Sequence, residues 1–324
     1  MPLLLAPMED VSDPPFRHVC KKYGADMLYT EFISSEGLIR DAQKSIKKLD
    51  ISDDERPVGI QIFGGEEEPM MRSAEIVEAA NPNVLDINYG CPVKNVVCRN
   101  AGAGILRDID KMVSLTTAVV KSTKLPVTVK TRLGWDDNSI RIVEVVERLQ
   151  DIGIHAISIH CRTKHQMYTG KANWNWITKV KENPRIKIPV FGNGDIDTPE
   201  KAVEMMKTYG ADGVMIGRAS IGNPFIFREV RHFINTGQHL APATLSEKLD
   251  ACKTHLLRSI EWKGEKLGIF EMRRHYAPYF AGLPHIKPFR SRLVVCENPE
   301  EIMGILKEIE VHYAQLEPVP VGVV

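Results

Sequence analysis

The chain has 324 residues, 43% of them hydrophobic and 26% charged, which fits one α/β domain of about 250 residues with a smaller one beside it. No run of about 18 apolar residues occurs, and the start, MPLLLAPMED, has no basic region and too short an apolar stretch for a secretory signal. No membrane span is therefore expected, the cytoplasm is the expected address, and a net charge of zero gives no global support for a polyanionic partner.

Strand-like runs recur along the chain: LLLAPM (3–8), MLYTEF (27–32), VGIQIFG (58–64), VLDINYG (84–90), VTVKTRLG (127–134), AISIHCR (156–162), IPVFGNGDI (188–196) and GVMIGRA (213–219). Helical patterns lie between them: PPFRHVCKKYG, EEEPMMRSAEIVEAA, DIDKMVSLTTAVVKS, NSIRIVEVVERLQDIG, NWNWITKVKEN and TPEKAVEMMKTYG, with NPFIFREVRHFINTG after the last strand. Strand and helix alternating eight times predict an α/β fold, a (β/α)8 TIM barrel over residues 1–240. The near-continuous apolar character of the strands fits a parallel sheet covered by helices. An open doubly wound sheet would carry a glycine fingerprint after its first strand, and LLLAPMEDVSD has no glycine.

From about Ala241 the alternation stops. LSEKLDACKTHLLRSIEWKGEKLGIFEMRRHYAPYF reads as one helix and PEEIMGILKEIEVHYAQL as another, so residues 241–324 are expected to form a small all-α domain ending in a loose tail, EPVPVGVV.

Barrels of this kind carry their chemistry at the C-terminal ends of the strands. Polar residues gather there: Gln61, Asn88, Cys91, Lys130, Arg132, His160, Arg162, Asn193, Asp195 and Arg218, beside Pro7 and Met8 of the first strand. One such residue is ordinary packing; seven strands contributing to one rim are not. The glycine-bearing ends GNGDI and IGRA suit a ligand phosphate. Lys130 suits the negative N1/C2=O edge of a reduced flavin, and Gln61 a planar polar ring. Together they point to FMN. The six cysteines are scattered with no C-x-x-C pair, which argues against a disulfide framework and a structural zinc site, and no metal is expected.

APMEDVSDPPFR, GIQIFG, DINYGCPVKNVVCRNAGAGIL, VTVKTRLGWD, ISIHCRTKHQMYTGKANW, VFGNGDI and GVMIGRASIGNPFIF resemble, in order, the motifs of the bacterial-type tRNA-dihydrouridine synthases, and RRHYAPYFAGLP resembles their helical-domain signature. The resemblance implies an FMN-dependent oxidoreductase that reduces the C5=C6 bond of a uracil in tRNA, with NADPH as reductant. It implies FMN contacts at Pro7, Met8, Gln61, Lys130, His160, Asn193, Gly194, Asp195, Gly217 and Arg218, and uridine contacts at Asn88, Arg132 and Tyr168, with Arg162 also expected on the substrate side. The family's catalytic cysteine lies in N-x-G-C-P, here Asn88-Tyr89-Gly90-Cys91-Pro92. Physical chemistry favours the same thiol. Hydride reaches C6 from one face, and an acid on the other must protonate C5; a thiol with a pKa near 8.5 keeps its proton at neutral pH. Cys98 lies further along the loop and is expected to be a bystander.

Nucleic-acid affinity depends on local cation density. Lys253, Arg258, Lys263, Lys266, Arg273, Arg274, Lys287, Arg290 and Arg292 crowd one stretch, with Tyr276, Tyr279, Phe280 and Phe289 either stacking on bases or filling the core. This is the expected tRNA-docking region, with Arg273, Arg274, Lys287 and Arg290 as contacts. No protein partner is called for, and a monomer is compatible with the sequence. Two other readings compete: a small-molecule flavin reductase resembling dihydroorotate dehydrogenase, which needs no basic helical tail, and a non-catalytic RNA-binding protein on a retired barrel, against which the intact Cys91, Lys130 and His160 count.

Overall fold

The computed structural model describes residues 1–315; the expected loose tail, EPVPVGVV, lies outside the described residues. The contacts divide the chain into two units, residues 1–220 with 226–239, and residues 221–225 with 240–324.

All eight expected strand positions are occupied in the first unit: β1 (Leu3–Leu5), β2 (Leu28–Tyr29) with β3 (Ile33–Ser34), β4 (Val58–Phe63), β5 (Val84–Tyr89), β6 (Val127–Arg132), β7 (Ala156–His160), β8 (Val190–Asn193) and β9 (Gly213–Ile216). β2 and β3 share one position, both pairing with β4. Every pair is parallel, running from β4 to β9 in sequence order and on to β1. A parallel bridge between Leu4 and Met27 closes the ring. The helices start where their caps dictate: Asp13 accepts from the Phe16 N–H ahead of Pro14–Lys22, Asp108 from Lys111 ahead of Ile109–Ser122, and Thr198 from Lys201 ahead of Pro199–Tyr209.

The strands alternate more sharply than a doubly buried sheet requires. Ile60, Ile62, Leu85, Ile87, Val129, Ile157, Ile159, Val214 and Ile216 are fully buried, at positions alternating with Gln61, Asp86, Asn88, Lys130, Ser158 and His160. Each buried aliphatic contributes about 1.5–3 kcal/mol. Leu4, Ala6, Tyr29 and Met215 form an apolar cluster flanked by Met8, Met27, Val84 and Phe191. The polar positions continue toward the strands' C-terminal ends.

In the second unit, the segment expected to be one helix is two, Leu245–Lys263 and Glu265–Tyr279. Gly264 separates them at φ +83° and ψ 159°, a conformation no helix continues through and glycine adopts without penalty. The chain doubles back so closely that a Cβ on Gly268 would lie 2.7 Å from the Ser259 carbonyl oxygen. Lys287–Val295 and Pro299–Gln315 complete the unit. Tyr276, Tyr279 and Phe280 are 0–1% exposed, so these rings fill the core and are not available for stacking on bases.

Candidate active site

Strand register builds the mouth in rows. Gln61, Asp86 and Thr128 stand side by side on β4, β5 and β6; Asn88, Lys130 and Ser158 form the next row; Arg132, His160 and Asn193 the row above. Lys130 Nζ makes no hydrogen bond or ion pair among the described residues. It lies deep enough that burial, and next the Arg132 guanidinium, pull its pKa down to about 8. His160 is buried among Arg132, Lys130, Arg162 and Arg218, and burial first, then these charges, hold it well below its ordinary value, so it is neutral at pH 7. Arg162 Nη1 can only donate, so at 3.4 Å the His160 Nε2 is the acceptor and the proton belongs on Nδ1.

Cys91 follows β5 in a turn that Asn88 organises. Asn88 Oδ1 accepts from the backbone N–H groups of Gly90 (2.9 Å) and Cys91 (2.8 Å), and Asn88 Nδ2 donates to Gln61 Oε1 (2.8 Å). Cys91 is 7% exposed. Burial pushes its thiol up, outweighing the nearby Arg132 and Lys130 charges, so it is protonated at neutral pH. Cys98 is exposed, at the end of the short helix Lys94–Val97.

Two buried arginines brace the loop after β7. Arg132 donates from Nε to the Gly90 carbonyl (2.8 Å) and from Nη1 to those of Thr163 (3.0 Å) and Met167 (2.8 Å). Arg162 donates to the carbonyls of Thr169 (3.1 Å) and Gly170 (2.6 Å) and to both Asp195 oxygens (2.8 and 2.7 Å). This corrects two expectations. Arg162 is 1% exposed, with its donors taken up by the protein, and supports the loop instead of facing substrate. The Asp195 carboxylate serves Arg162 and the Ala172 N–H (2.7 Å) instead of standing free for a ligand. Burial pushes Asp195 up, but Ala172, Arg162 and Arg218 outweigh it and hold the carboxyl below its usual range.

Tyr168 projects from the braced loop, 53% exposed. Its ring centroid lies 5.5 Å from the Arg132 guanidinium, 5.3 Å from that of Arg218 and 6.2 Å from the His160 ring. Asn193 Nδ2 donates to the Met215 carbonyl (2.7 Å). Gly194 has φ +123°, and a Cβ there would lie 2.9 Å from the Ala172 Cβ. Gly217 faces Ala6 and Met8, and Pro7 and Met8 are half-buried.

Three features escaped sequence reasoning. Asp86, read only as part of a strand, accepts from Gln61 Nε2 and Thr128 Oγ1, each at 2.5 Å; its inward position opposite Gln61 was the available signal. The Trp135 ring has the Arg107 guanidinium at 4.5 Å and the Lys164 ammonium at 4.3 Å, with the His165 ring 5.2 Å away, and among the described residues no carboxylate pairs with either cation. Glu9, Asp10 and Glu31 bring their oxygens within 4.8 Å of one another, but Lys48 already supplies the positive charge, 2.5 Å from Glu9 and 3.5 Å from Glu31.

In the helical unit the expected cations divide. Lys253, Lys263, Arg273 and Arg292 are paired with Glu310, Glu271, Glu297 and Glu308. Arg273 also lies over the exposed Phe270 ring at 5.3 Å. Arg274 and Lys287 are exposed and Arg290 is half-buried. No described helix is long and apolar enough to cross a membrane.

Residues 4–316 match the sequence family described as dihydrouridine synthase (Dus). The chain is 38% identical over 290 residues to tRNA-dihydrouridine synthase B of Pseudomonas aeruginosa, covering 90% of this chain and 87% of that one. It is 37% identical over 307 residues to the probable tRNA-dihydrouridine synthase 1 of Synechocystis sp., covering 94% and 85%. Among solved structures it is similar in fold to a mutant morphinone reductase in complex with tetrahydroNAD (TM-score 0.53, 11% identity, 76% of this chain and 89% of that one). It is similar too to a 2-naphthoyl-CoA reductase complex (TM-score 0.56, 10% identity, 71% and 50%). At such identities the likeness concerns the barrel alone.

Proposed function

This chain belongs to the dihydrouridine synthase family, and we propose from that premise that it reduces uridine in tRNA to 5,6-dihydrouridine, with Cys91 as the acid and FMN as the resident cofactor. The observation that carries the reading is the buried Cys91 thiol in the turn that Asn88 holds after β5, with Lys130 in register beside Asn88 and the buried His160 in the row above.

The residues fit a flavin. The Lys130 ammonium, with no hydrogen bond or ion pair among the described residues, suits an anionic ring edge, and His160 and the remaining Nε2 proton of Gln61 suit hydrogen bonds to a flavin ring. Asn193, Gly194, Gly217 and Arg218 suit the phosphate, with Pro7 and Met8 beside them and Asp195 acting through Arg162. Bound there, FMN would supply the hydride for C6, renewed from NADPH. Cys91 holds the proton on Sγ and gives it to C5 as the C5=C6 bond is saturated; the thiolate then regains a proton from solvent. Asn88 fixes the turn that presents the thiol, and Arg132 and Tyr168 flank the uracil.

The target base must leave its stack to reach the mouth. Arg274, Lys287 and Arg290 of the helical unit, with Arg273 over Phe270, supply cation density for RNA, and Arg107 and Lys164 against Trp135 offer more on the barrel. The expected cytoplasmic address follows from a tRNA substrate.

Purified protein, its visible spectrum and dihydrouridine formation in unmodified tRNA with NADPH test this reading. A yellow protein that forms dihydrouridine supports it. A yellow protein that oxidises NADPH in the presence of a small enone but leaves tRNA unchanged points to a small-molecule reductase instead.

A further inference from the structure

We propose that Asp86 is a positioning residue for this reaction: its buried carboxylate fixes the donor–acceptor sense of the Gln61 and Asn88 amides and so holds the Cys91 turn in place. The catalytic consequence rests on the function proposed above; the structural relay does not.

Asp86 is 1% exposed. Thr128 Oγ1 donates to its Oδ1 and Gln61 Nε2 to its Oδ2, both at 2.5 Å. An ionised carboxylate can only accept. An amide carries no such restriction, because a half-turn about its last torsion exchanges donor and acceptor with almost no change of shape. Facing Asp86, Gln61 therefore has one choice, to present its NH2. Its Oε1 is then left to accept from Asn88 Nδ2 at 2.8 Å. Asn88 must turn Oδ1 the other way, where it accepts from Gly90 N at 2.9 Å and Cys91 N at 2.8 Å. Reversing the amides would bring the Asn88 NH2 against two backbone N–H groups, leaving buried donors unsatisfied. The sense set at Asp86 thus passes through two amides, on β4 and β5, to the backbone of the proposed acid.

The charge environment keeps the carboxylate ionised at pH 7. Burial pushes Asp86 up to about 6, against Thr128, Gln61 and the Lys130 ammonium, and the Tyr29 phenol, itself pushed far up, stays neutral nearby. Below about pH 6 a protonated Asp86 can donate as well as accept, and the constraint on Gln61 lapses.

The test compares wild-type holoenzyme with Asp86→Asn and Thr128→Val. Asp86→Asn can both donate and accept, so kcat should fall at least about tenfold while KM for tRNA moves less than about threefold. Alkylation of Cys91 by iodoacetamide, followed by peptide mapping, should change by at least about threefold in the same variant. Thr128→Val removes a hydrogen bond that holds the Asp86 carboxyl down, so the pH below which both readouts change should move up in that variant. A folded Asp86→Asn protein with wild-type kcat and alkylation overturns the proposal, as does a Thr128→Val protein whose readouts change at the wild-type pH. Hydrogen exchange in the wild type needs no variant. Protection at Gly90 and Cys91, corrected for intrinsic rate, should drop between pH 7 and pH 5 while Val129 stays protected; unchanged protection at Gly90 and Cys91 also overturns the proposal. A wild type that forms no dihydrouridine counts against the function alone, because alkylation and exchange still read the relay.

Discussion

Burial raises the Cys91 thiol and lowers the Lys130 ammonium because in each case the charged form loses water. The lowered lysine has a direct consequence. It is charged below about pH 8 and neutral above it, so an anionic ligand that depends on it binds more weakly as pH rises through that range. Titrating flavin-free protein with FMN at pH 7 and pH 9 should show the loss, and Lys130→Met should remove most of the difference; an equal pH dependence in the variant would show that Lys130 is not the cause. These residues could be read from sequence because a lysine or asparagine at an inward strand position is hard to explain as packing. Arg162 and Asp195 could not be assigned that way. Their roles depend on the carbonyls of Thr169 and Gly170 and the Ala172 N–H, whose positions a loop fixes only once it is folded.

Elements were legible where a period repeats and obscure where one residue decides. The eight strand positions follow from apolar runs, and the caps Asp13, Asp108 and Thr198 start their helices. The break at Gly264 was hidden inside a helix-like period, because apolar spacing continues across it. The loop after β7 was also unreadable, since its order comes from two buried arginines. Arg162→Ala removes three donors' worth of support and leaves Asp195 without its buried partner, so a loss of about 2 kcal/mol is expected, discounted for the partial exposure of Asp195. Backbone hydrogen exchange over residues 163–172 should quicken in that variant before exchange in β7 does. Uniform quickening of loop and strand would contradict the bracing role.

The whole molecule combines a barrel whose interior is apolar in one layer and polar at the mouth with a helical unit in which Tyr276, Tyr279 and Phe280 are core. In that unit His255 is buried against His275, with ring centroids 4.5 Å apart, and its Nδ1 lies 3.2 Å from the Tyr279 hydroxyl. Burial pulls His255 down to about 3. The unfolded state takes up its proton near pH 6.5 while the folded state does not, so the folded state loses stability as pH falls from about 6.5 toward 3. At pH 5 this linkage costs about 2 kcal/mol relative to pH 8. The stability difference between wild type and His255→Phe, from chemical unfolding, should therefore shift by about that amount between the two pH values; a constant difference would mean the imidazole is not held neutral.

The central claim is that Cys91 delivers the proton. Its most direct test is single-turnover dihydrouridine formation on tRNA, with the protein-bound flavin reduced beforehand, for wild type, Cys91→Ala and Cys98→Ala. The account predicts a loss of about 10²–10⁴-fold in Cys91→Ala with flavin still bound, and a Cys98→Ala rate close to wild type. A Cys91→Ala protein that turns over at the wild-type rate would contradict it.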